Sequence, residues 1–274
     1  MIVITGATGN VGRPLVQALA AMGEEVVAVS RNITAEDVPA GVRAWQADLA
    51  EPASLKAAFD GAEAVFLLTS GGFAGNADLG ETMDIVRTVG VRRVVLLSSQ
   101  GVSTGHHPST LEDIVTASSP EWTILRPGNF ASNALQWAEG IRTRRTAAAP
   151  FGDVALPAID PADIADVAAA VLREPGHHGK IYALTGPAPI SPREQAAVIG
   201  EIVGEPVTFV ELTRAEAKAA MLRFMPEQIA DTSLDILGTP PAQFRQVSPD
   251  VEKVLGRPPR SFADWTARSA VAFR

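Results

Sequence analysis

Apolar residues along this chain fall into two alternating patterns, short continuous runs and runs spaced at helical intervals. MIVIT (1–5) is a short apolar run that ends in a glycine-bearing turn, and PLVQALAAM (14–22) carries apolar positions at helical spacing up to Gly23, a helix C-cap. This predicts strand, tight turn, helix. EVVAVSR (25–31) and VRAWQAD (42–48) read as the next strands and SLKAAFDG (54–61) as a helix closed by glycine. AEAVFLLTS (62–70) and RRVVLLSSQ (92–100), separated by a helix across 77–89, are the nearly unbroken apolar runs of parallel strands covered on both faces. A helix over 111–118 leads into a sixth strand, WTILRPG (122–128). Helices near 133–144 and across 161–172 then precede a seventh, IYALTG (181–186). Such alternation predicts an α/β protein built on a right-handed, doubly wound parallel sheet.

The pattern changes after Gly186. SPREQAAVIGEIVG is a helix capped by Ser191, VTFVEL a short strand, and from Thr213 the chain is mainly helical, interrupted by GTPPAQ and GRPPR. The expected organisation is a sheet domain over 1–186 with a smaller, mainly helical substrate lobe, 187–274, packed on it. No internal repeat or low-complexity tract is present.

Composition removes several classes of function. With 274 residues, 46% hydrophobic and 20% charged, the chain can bury a substantial core, and no apolar stretch approaches the roughly 20 residues of a membrane helix. The N-terminus has neither the basic start nor the cleavage site of a signal peptide, so the expectation is a soluble, cytoplasmic protein without a membrane role. The absence of cysteine excludes disulfides, thiolate nucleophiles and cysteine metal sites, and four histidines leave little for a metal centre, so no metal is expected. A net charge of −8 opposes binding to nucleic acid, and the one compact basic cluster, Arg142, Arg144 and Arg145, reads as a solvated helix end.

The candidate chemistry starts at TGATGNVG (5–12). Gly6 permits a sharp turn out of the strand, Gly9 allows close backbone approach to a pyrophosphate, and Gly12 allows the helix to pack on the sheet. A helix beginning near Asn10 aims its N–H groups at the phosphates. Strand, glycine turn and helix in this order make a Rossmann dinucleotide cradle of Gly6, Thr8, Gly9, Asn10, Val11, Gly12 and Arg13. NAD-binding sites place an acidic residue at the end of the second strand, but here the strand ends in Arg31. Arg31, assisted by Arg13, would pair with a 2′-phosphate, so NADP(H) is favoured over NAD(H). The alternative for Arg31 is an ordinary solvent-facing arginine.

TGATGNVG, SRN (30–32), ADL (47–49), VFLLTS (65–70), VVLLSSQG (94–101), WTILRPGNFASN (122–133) and VSPDVEKVLGRPPRSFADW (247–265) together resemble the atypical short-chain dehydrogenases/reductases, in the NmrA-like NAD(P)-binding branch that includes quinone-reductase-like members. The resemblance spans nearly the whole chain. It implies that Asp48 and Leu49 flank the adenine, that Thr69, Ser70 and Ser98 line the cofactor beyond the strand ends, and that Asn129 and Phe130 close over the nicotinamide. Taken alone, Asp48 also suits a helix cap, and Thr69 and Ser70 suit ordinary strand-end positions.

Typical short-chain dehydrogenases use a Tyr-x-x-x-Lys pair, whose lysine lowers the tyrosine pKa. This chain lacks the pair: its single tyrosine, Tyr182, falls in a late strand, and Lys56, Lys180, Lys218 and Lys253 lie outside the expected segment. Ser99 matches the family's catalytic serine. In GVSTGHHPSTLEDIV, where relatives carry a histidine or lysine ahead of a helical glutamate (here Glu112), His106 or His107 is the candidate proton donor, with His107 preferred. A loop role for both histidines stays open, and His177 and His178 read as a turn. Hydride transfer to a quinone or other conjugated acceptor needs no protein base. The expectation is therefore an NADPH-dependent oxidoreductase acting on a quinone-like or other conjugated small molecule. Two alternatives remain open. One is a non-catalytic NADP(H) redox sensor acting on a regulatory protein partner, and the other a non-redox isomerase or lyase of a biosynthetic pathway. A homo-oligomer is compatible with any of them.

Overall fold

The computed structural model describes residues 1–68, 79–118 and 121–274. The chain forms two compact units. The first comprises Met1–Pro127, Pro161–Leu184 and Asp250–Arg257, and the second Gly128–Asp160, Thr185–Pro249 and Pro258–Arg274.

The first unit is built on one seven-stranded sheet. Across it the strands run in the order Arg43–Gln46, Val26–Ser30, Ile2–Thr5, Ala64–Leu67, Arg93–Leu97, Glu121–Pro127 and Lys180–Leu184, and every neighbouring pair is parallel. Chain progression therefore reverses direction at Ile2–Thr5, and the crevice at such a reversal, beyond the carboxyl ends of the strands, is where doubly wound sheets hold ligands. Both faces are covered, as the apolar runs required. Val3, Val27, Val65, Val94 and Leu96 are buried against the helices Leu79–Thr88 and Thr110–Ser118, and helices Gly12–Ala21 and Pro161–Arg173 pack together over the other face. Each fully buried Val, Leu, Ile or Phe is worth about 1.5–3 kcal/mol relative to exposure, so these central strands hold the unit together.

The second unit has its own core, in which Trp137, Ile141, Ala147, Ile199, Trp265 and Phe273 pack together. It contains a parallel pair, Thr146–Ala149 with Thr208–Glu211, and a short antiparallel pair, Leu156–Pro157 with Pro189–Ile190. Helices Pro192–Val203, Arg214–Met221, Glu227–Gly238 and Phe262–Ser269 supply most of the rest, and Ser191, Thr213 and Ser261 each open a helix with a reciprocal capping box.

This division differs from a single boundary at 186/187. Gly128–Asp160 joins the second unit because Trp137, Ile141 and Ala147 bury their apolar surface in its core. Asp250–Arg257 returns to the first unit, where the Asp250 carboxylate accepts the Ala183 N–H (3.0 Å) and Arg257 pairs with buried Asp163 (2.8 Å) and with Asp166 (2.6 Å). The expected helix at 133–144 is instead a 3-10 helix, Ala131–Trp137, followed by the α-helix Ala138–Arg144. Among the described residues, no helix is long and apolar enough to cross a membrane.

Candidate functional site

At the reversal point, Thr5 fastens the ends of two adjacent strands. Its hydroxyl donates to the Phe66 carbonyl (3.0 Å) and accepts the Leu68 N–H (2.8 Å). The chain then turns at Gly6, whose φ of +63° is the left-handed conformation that glycine adopts without strain. Gly12 opens the helix so close beneath this turn that a Cβ on it would lie 2.1 Å from the Gly6 carbonyl oxygen. Gly9 is different: its φ is not left-handed, and among the described residues a Cβ there would approach only the Gly6 oxygen, at 3.2 Å. Two glycines are thus demanded by the protein's own packing, whereas Gly9 leaves backbone bare beside open space.

That space is a groove of about 200 Å3 lined by Thr5, Gly6, Thr8, Gly9, Ser30, Arg31, Asp48, Leu49 and Leu68, among others. Thr8 and Ser30 share a hydrogen bond (3.0 Å) across it. Arg31 is exposed, and no carboxylate pairs with it among the described residues. Arg13 is exposed as well, but its charge is partly shared with Asp37. The Asp37 carboxyl is held below the ordinary value, chiefly by hydrogen bonds from the Thr34 backbone and side chain, with Arg13 adding a smaller electrostatic contribution. Asp48 lines the groove but turns one carboxylate oxygen back to accept the Ala50 N–H (3.0 Å), which fixes the turn after its strand. Val11 and Gly12 are buried under the groove, Asn10 is exposed, and Leu49 is buried in the groove wall. Thr69 and Ser70 lie outside the described residues. No side chain caps the helix Gly12–Ala21, and its first turn carries no acidic residue.

A second cluster follows the strand Arg93–Leu97. The strand stops at Leu97, not at residue 100, because Ser99 caps a 3-10 helix, Gln100–Thr104, by accepting the Gly101 N–H (3.1 Å). The Ser99 oxygen also lies 3.0 Å from His107 Nδ1. His107 reaches that position because Gly101 has no side chain, since a Cβ on it would fall 2.5 Å from the same nitrogen. Burial, and secondarily the charge of His106, hold the His107 pKa below its ordinary 6.5, so the imidazole is neutral at pH 7. The sequence thus named both members of a hydrogen-bonded pair that it could not show to be in contact. Ser98, expected beside the cofactor, is buried and donates to Glu112 (2.5 Å). Arg126 grips the same carboxylate through both oxygens, at 2.9 and 2.5 Å. This bidentate pair ties helix Thr110–Ser118 to strand Glu121–Pro127; Arg126 stands in the WTILRPGNFASN motif, but its pairing with Glu112 has no local signal in the sequence. Tyr182 is committed elsewhere, hydrogen-bonded to His177 Nδ1 (2.8 Å) near the amino-terminal ends of the strands. Burial raises its pKa above the ordinary 10.0.

Asn129 and Phe130 belong to the second unit. The Asn129 carbonyl accepts the Ile159 N–H (2.8 Å), its side-chain oxygen accepts from Asn133 (3.0 Å), and Phe130 bridges to Ile159. Asn129 lines a cavity of about 270 Å3 within this unit, together with Trp137, Phe151, Gln195, Met221, Phe224 and other residues. Trp137 and Phe224 are therefore cavity wall, whereas Phe244 is buried outside it. In the basic cluster, Arg142 pairs with Glu139 (2.8 Å) and Arg145 with Glu205 (2.6 Å).

A family model described as NAD(P)H-binding matches residues 6–175. The (4-alkanoyl-5-oxo-2,5-dihydrofuran-3-yl)methyl phosphate reductase of Streptomyces griseus is 34% identical, the match covering 100% of this chain and 99% of the relative. An NAD(P)H azoreductase of Xenophilus azovorans is 33% identical, with the same coverage of 100% and 99%. The crystal structure of an NADPH-dependent quinone oxidoreductase from Escherichia coli, complexed with NADPH, superposes with a TM-score of 0.81 at 26% identity, over 98% of this chain and 99% of that one. Glycine turn, reversed strand order and full-length similarity agree: the chain belongs to the NAD(P)H-binding family, in the atypical short-chain dehydrogenase/reductase group.

Proposed function

We propose that the protein is an NADPH-dependent reductase of a quinone-like or other conjugated small molecule. The observation that carries the reading is the groove at the sheet reversal, with Gly9 bare beside it and, on its wall, Arg31, which pairs with no carboxylate among the described residues. The residues fit a dinucleotide. Gly9 omits a Cβ that, among the described residues, would press only on the Gly6 oxygen (3.2 Å), and a phosphate there would lie by the uncapped end of helix Gly12–Ala21. Thr8 and Ser30 offer hydroxyls, Leu49 an apolar wall, and Arg31 a guanidinium for the 2′-phosphate that distinguishes NADPH from NADH. When bound, the cofactor supplies a hydride.

The chain's own part is orientation and proton handling, for which we assign Ser99 and His107. Ser99 accepts from Gly101 N–H. If His107 Nδ1 carries the ring proton, it donates to the same oxygen, and the Ser99 O–H is then free to point at an acceptor oxygen. A neutral imidazole suits that arrangement, and burial keeps His107 neutral at pH 7. Ser98, Glu112 and Arg126 hold the strand end and the helix that flank the pair. The lack of an activated tyrosine disfavours a simple alcohol dehydrogenase and is compatible with acceptors whose reduced form solvent can protonate. The relatives' names support this choice. An oxo-dihydrofuran, an azo compound and a quinone are all conjugated electrophiles.

Purified protein should oxidise NADPH in the presence of a panel of quinones, an azo dye and an oxo-dihydrofuran, and do so faster than NADH. Tight NADPH binding with no turnover on any acceptor would overturn the reading in favour of a redox sensor.

A further inference from the structure

The segment from Ser99 to Leu111 carries both Ser99 and His107, and its two ends are tied together. Ser98, the residue before it, donates its hydroxyl to the carboxylate of Glu112, the residue after it (2.5 Å). The same carboxylate accepts two bonds from Arg126, at 2.9 and 2.5 Å. Ser98 and Glu112 are buried, at 7% and 4% exposure. Arg126 is a fixed point. Its strand, Glu121–Pro127, is paired on one side with Arg93–Leu97 and on the other with Lys180–Leu184, and the Ser98 N–H donates to the carbonyl of the adjacent Leu125 (2.8 Å). Inside the tied segment a second layer of bonds gathers on Gly101. Its carbonyl accepts the N–H groups of His106 (3.0 Å) and His107 (3.1 Å), its own N–H donates to Ser99 (3.1 Å), and its missing Cβ leaves the place that the His107 ring occupies.

Stability alone does not account for the outer bonds. A buried ion pair is often no better for stability than apolar side chains of the same volume, and its best attested use is to fix one arrangement among several. Helix Thr110–Ser118 and strand Glu121–Pro127 already pack in the apolar core through Val115 and Ile124. What the charged join adds is a fixed position for Ser98, and Ser99 follows Ser98 because a planar peptide unit connects them. Among the described residues that line the coenzyme groove, Ser98 is absent. We propose that Ser98, Glu112 and Arg126 form a clasp that keeps Ser99 in contact with His107, with Ser98 a positioning residue for the reaction and not a wall of the coenzyme groove. The catalytic consequence of the clasp rests on the reductase reading; the clasp itself does not.

The test compares Ser98→Ala, which removes the hydroxyl and leaves the Glu112 to Arg126 pair, with Ser98→Thr, which keeps a hydroxyl. The first readout is histidine-ring nitrogen NMR of the full-length protein without coenzyme, with His107 assigned by its loss in His107→Asn. Ser98→Ala should move the His107 resonances toward those of a solvent-exposed imidazole, and Ser98→Thr should restore them. The second readout is steady-state kinetics with NADPH and a quinone. There kcat should fall about 10- to 100-fold in Ser98→Ala, the scale of a misplacement of about 1 Å, and recover in Ser98→Thr, while the Kd for NADPH stays unchanged. Ser98→Cys, close in size and a weak donor, takes the place of the alanine variant if that does not fold. His107 resonances that stay in place, an unchanged kcat while they move, or a weakened NADPH Kd would overturn the proposal. A lowered Tm as the only effect would do the same, since it marks a merely structural bond. The two readings fail separately. If the wild type turns over no acceptor, the reductase is lost and the NMR decides the clasp. Wild-type turnover with unchanged His107 resonances and kcat in Ser98→Ala keeps the reductase and sinks the clasp.

Discussion

Gly9 and Gly12 stand three residues apart in one turn, yet replacing each with alanine should damage different properties. At Gly12 the new Cβ would lie 2.1 Å from the Gly6 oxygen, 2.7 Å from the Gly6 carbonyl carbon and 2.8 Å from the Ala7 Cα, all of them backbone atoms that cannot rotate aside. Helix and turn must separate, an overpacking cost of about 1–3 kcal/mol, or an apparent Tm lowered by roughly 2–12 °C in a chain of this size. At Gly9 the one contact among the described residues, Gly6 O at 3.2 Å, is relieved by a shift of a few tenths of an ångström, and alanine also restricts the unfolded chain. The stability of Gly9→Ala without cofactor should stay within about 0.5 kcal/mol of wild type. Its defect should emerge only with NADPH. At a concentration about 100-fold above the wild-type Kd, NADPH stabilises the wild type by about 2.7 kcal/mol, and a tenfold weaker Kd removes about 1.4 kcal/mol of that. Thermal melts with and without NADPH read both numbers. Equal loss of stability in the two variants without cofactor, or an undiminished NADPH shift in Gly9→Ala, would refute the separation of packing glycine from ligand glycine.

Arg31→Ala removes an exposed guanidinium that, among the described residues, has no competing carboxylate, so NADPH binding should weaken by about 5–30-fold, or about 1–2 kcal/mol, while NADH is nearly unaffected. Equal effects on both coenzymes in a titration would remove the 2′-phosphate assignment. Arg126→Met strips the buried Glu112 carboxylate of its bidentate partner and should cost about 3–5 kcal/mol in denaturant unfolding, whereas a loss below about 1 kcal/mol would mean that the pair does not anchor the helix. With neutral His107 as the working form, kcat/KM should be flat above pH 6.5 and fall as pH drops through the lowered folded-state pKa, a limb that His107→Asn should lose. A rate that rises on acidification would instead identify the imidazolium as the proton donor.

Local pattern was enough to reveal the sheet. MIVIT, AEAVFLLTS and RRVVLLSSQ are apolar because both faces of their strands are covered, and a requirement felt at every position leaves a mark at every position. The strands Thr146–Ala149 and Leu156–Pro157 left no such mark. Alanine-rich and proline-containing, they are strands only because Thr208–Glu211 and Pro189–Ile190 come to lie beside them. The same distinction separates the site residues. Ser99 and His107 were legible one at a time, from motif position and side-chain chemistry, but their 3.0 Å contact depends on the turn that Gly101 allows.

The sequence by itself determined the β/α alternation, the glycine cradle, the arginine in place of an acidic residue, and the absence of a Tyr-x-x-x-Lys pair. Each of these is a local rule of backbone conformation, periodicity or residue chemistry. Only the tertiary structure decided that Gly128–Asp160 and Asp250–Arg257 change sides, that Ser98 serves Glu112, and that Gln195 and Trp137 line one cavity. Those outcomes depend on which distant groups arrive next to one another, and hydrogen-bond satisfaction is a property of the neighbours, not of the residue that carries the donor.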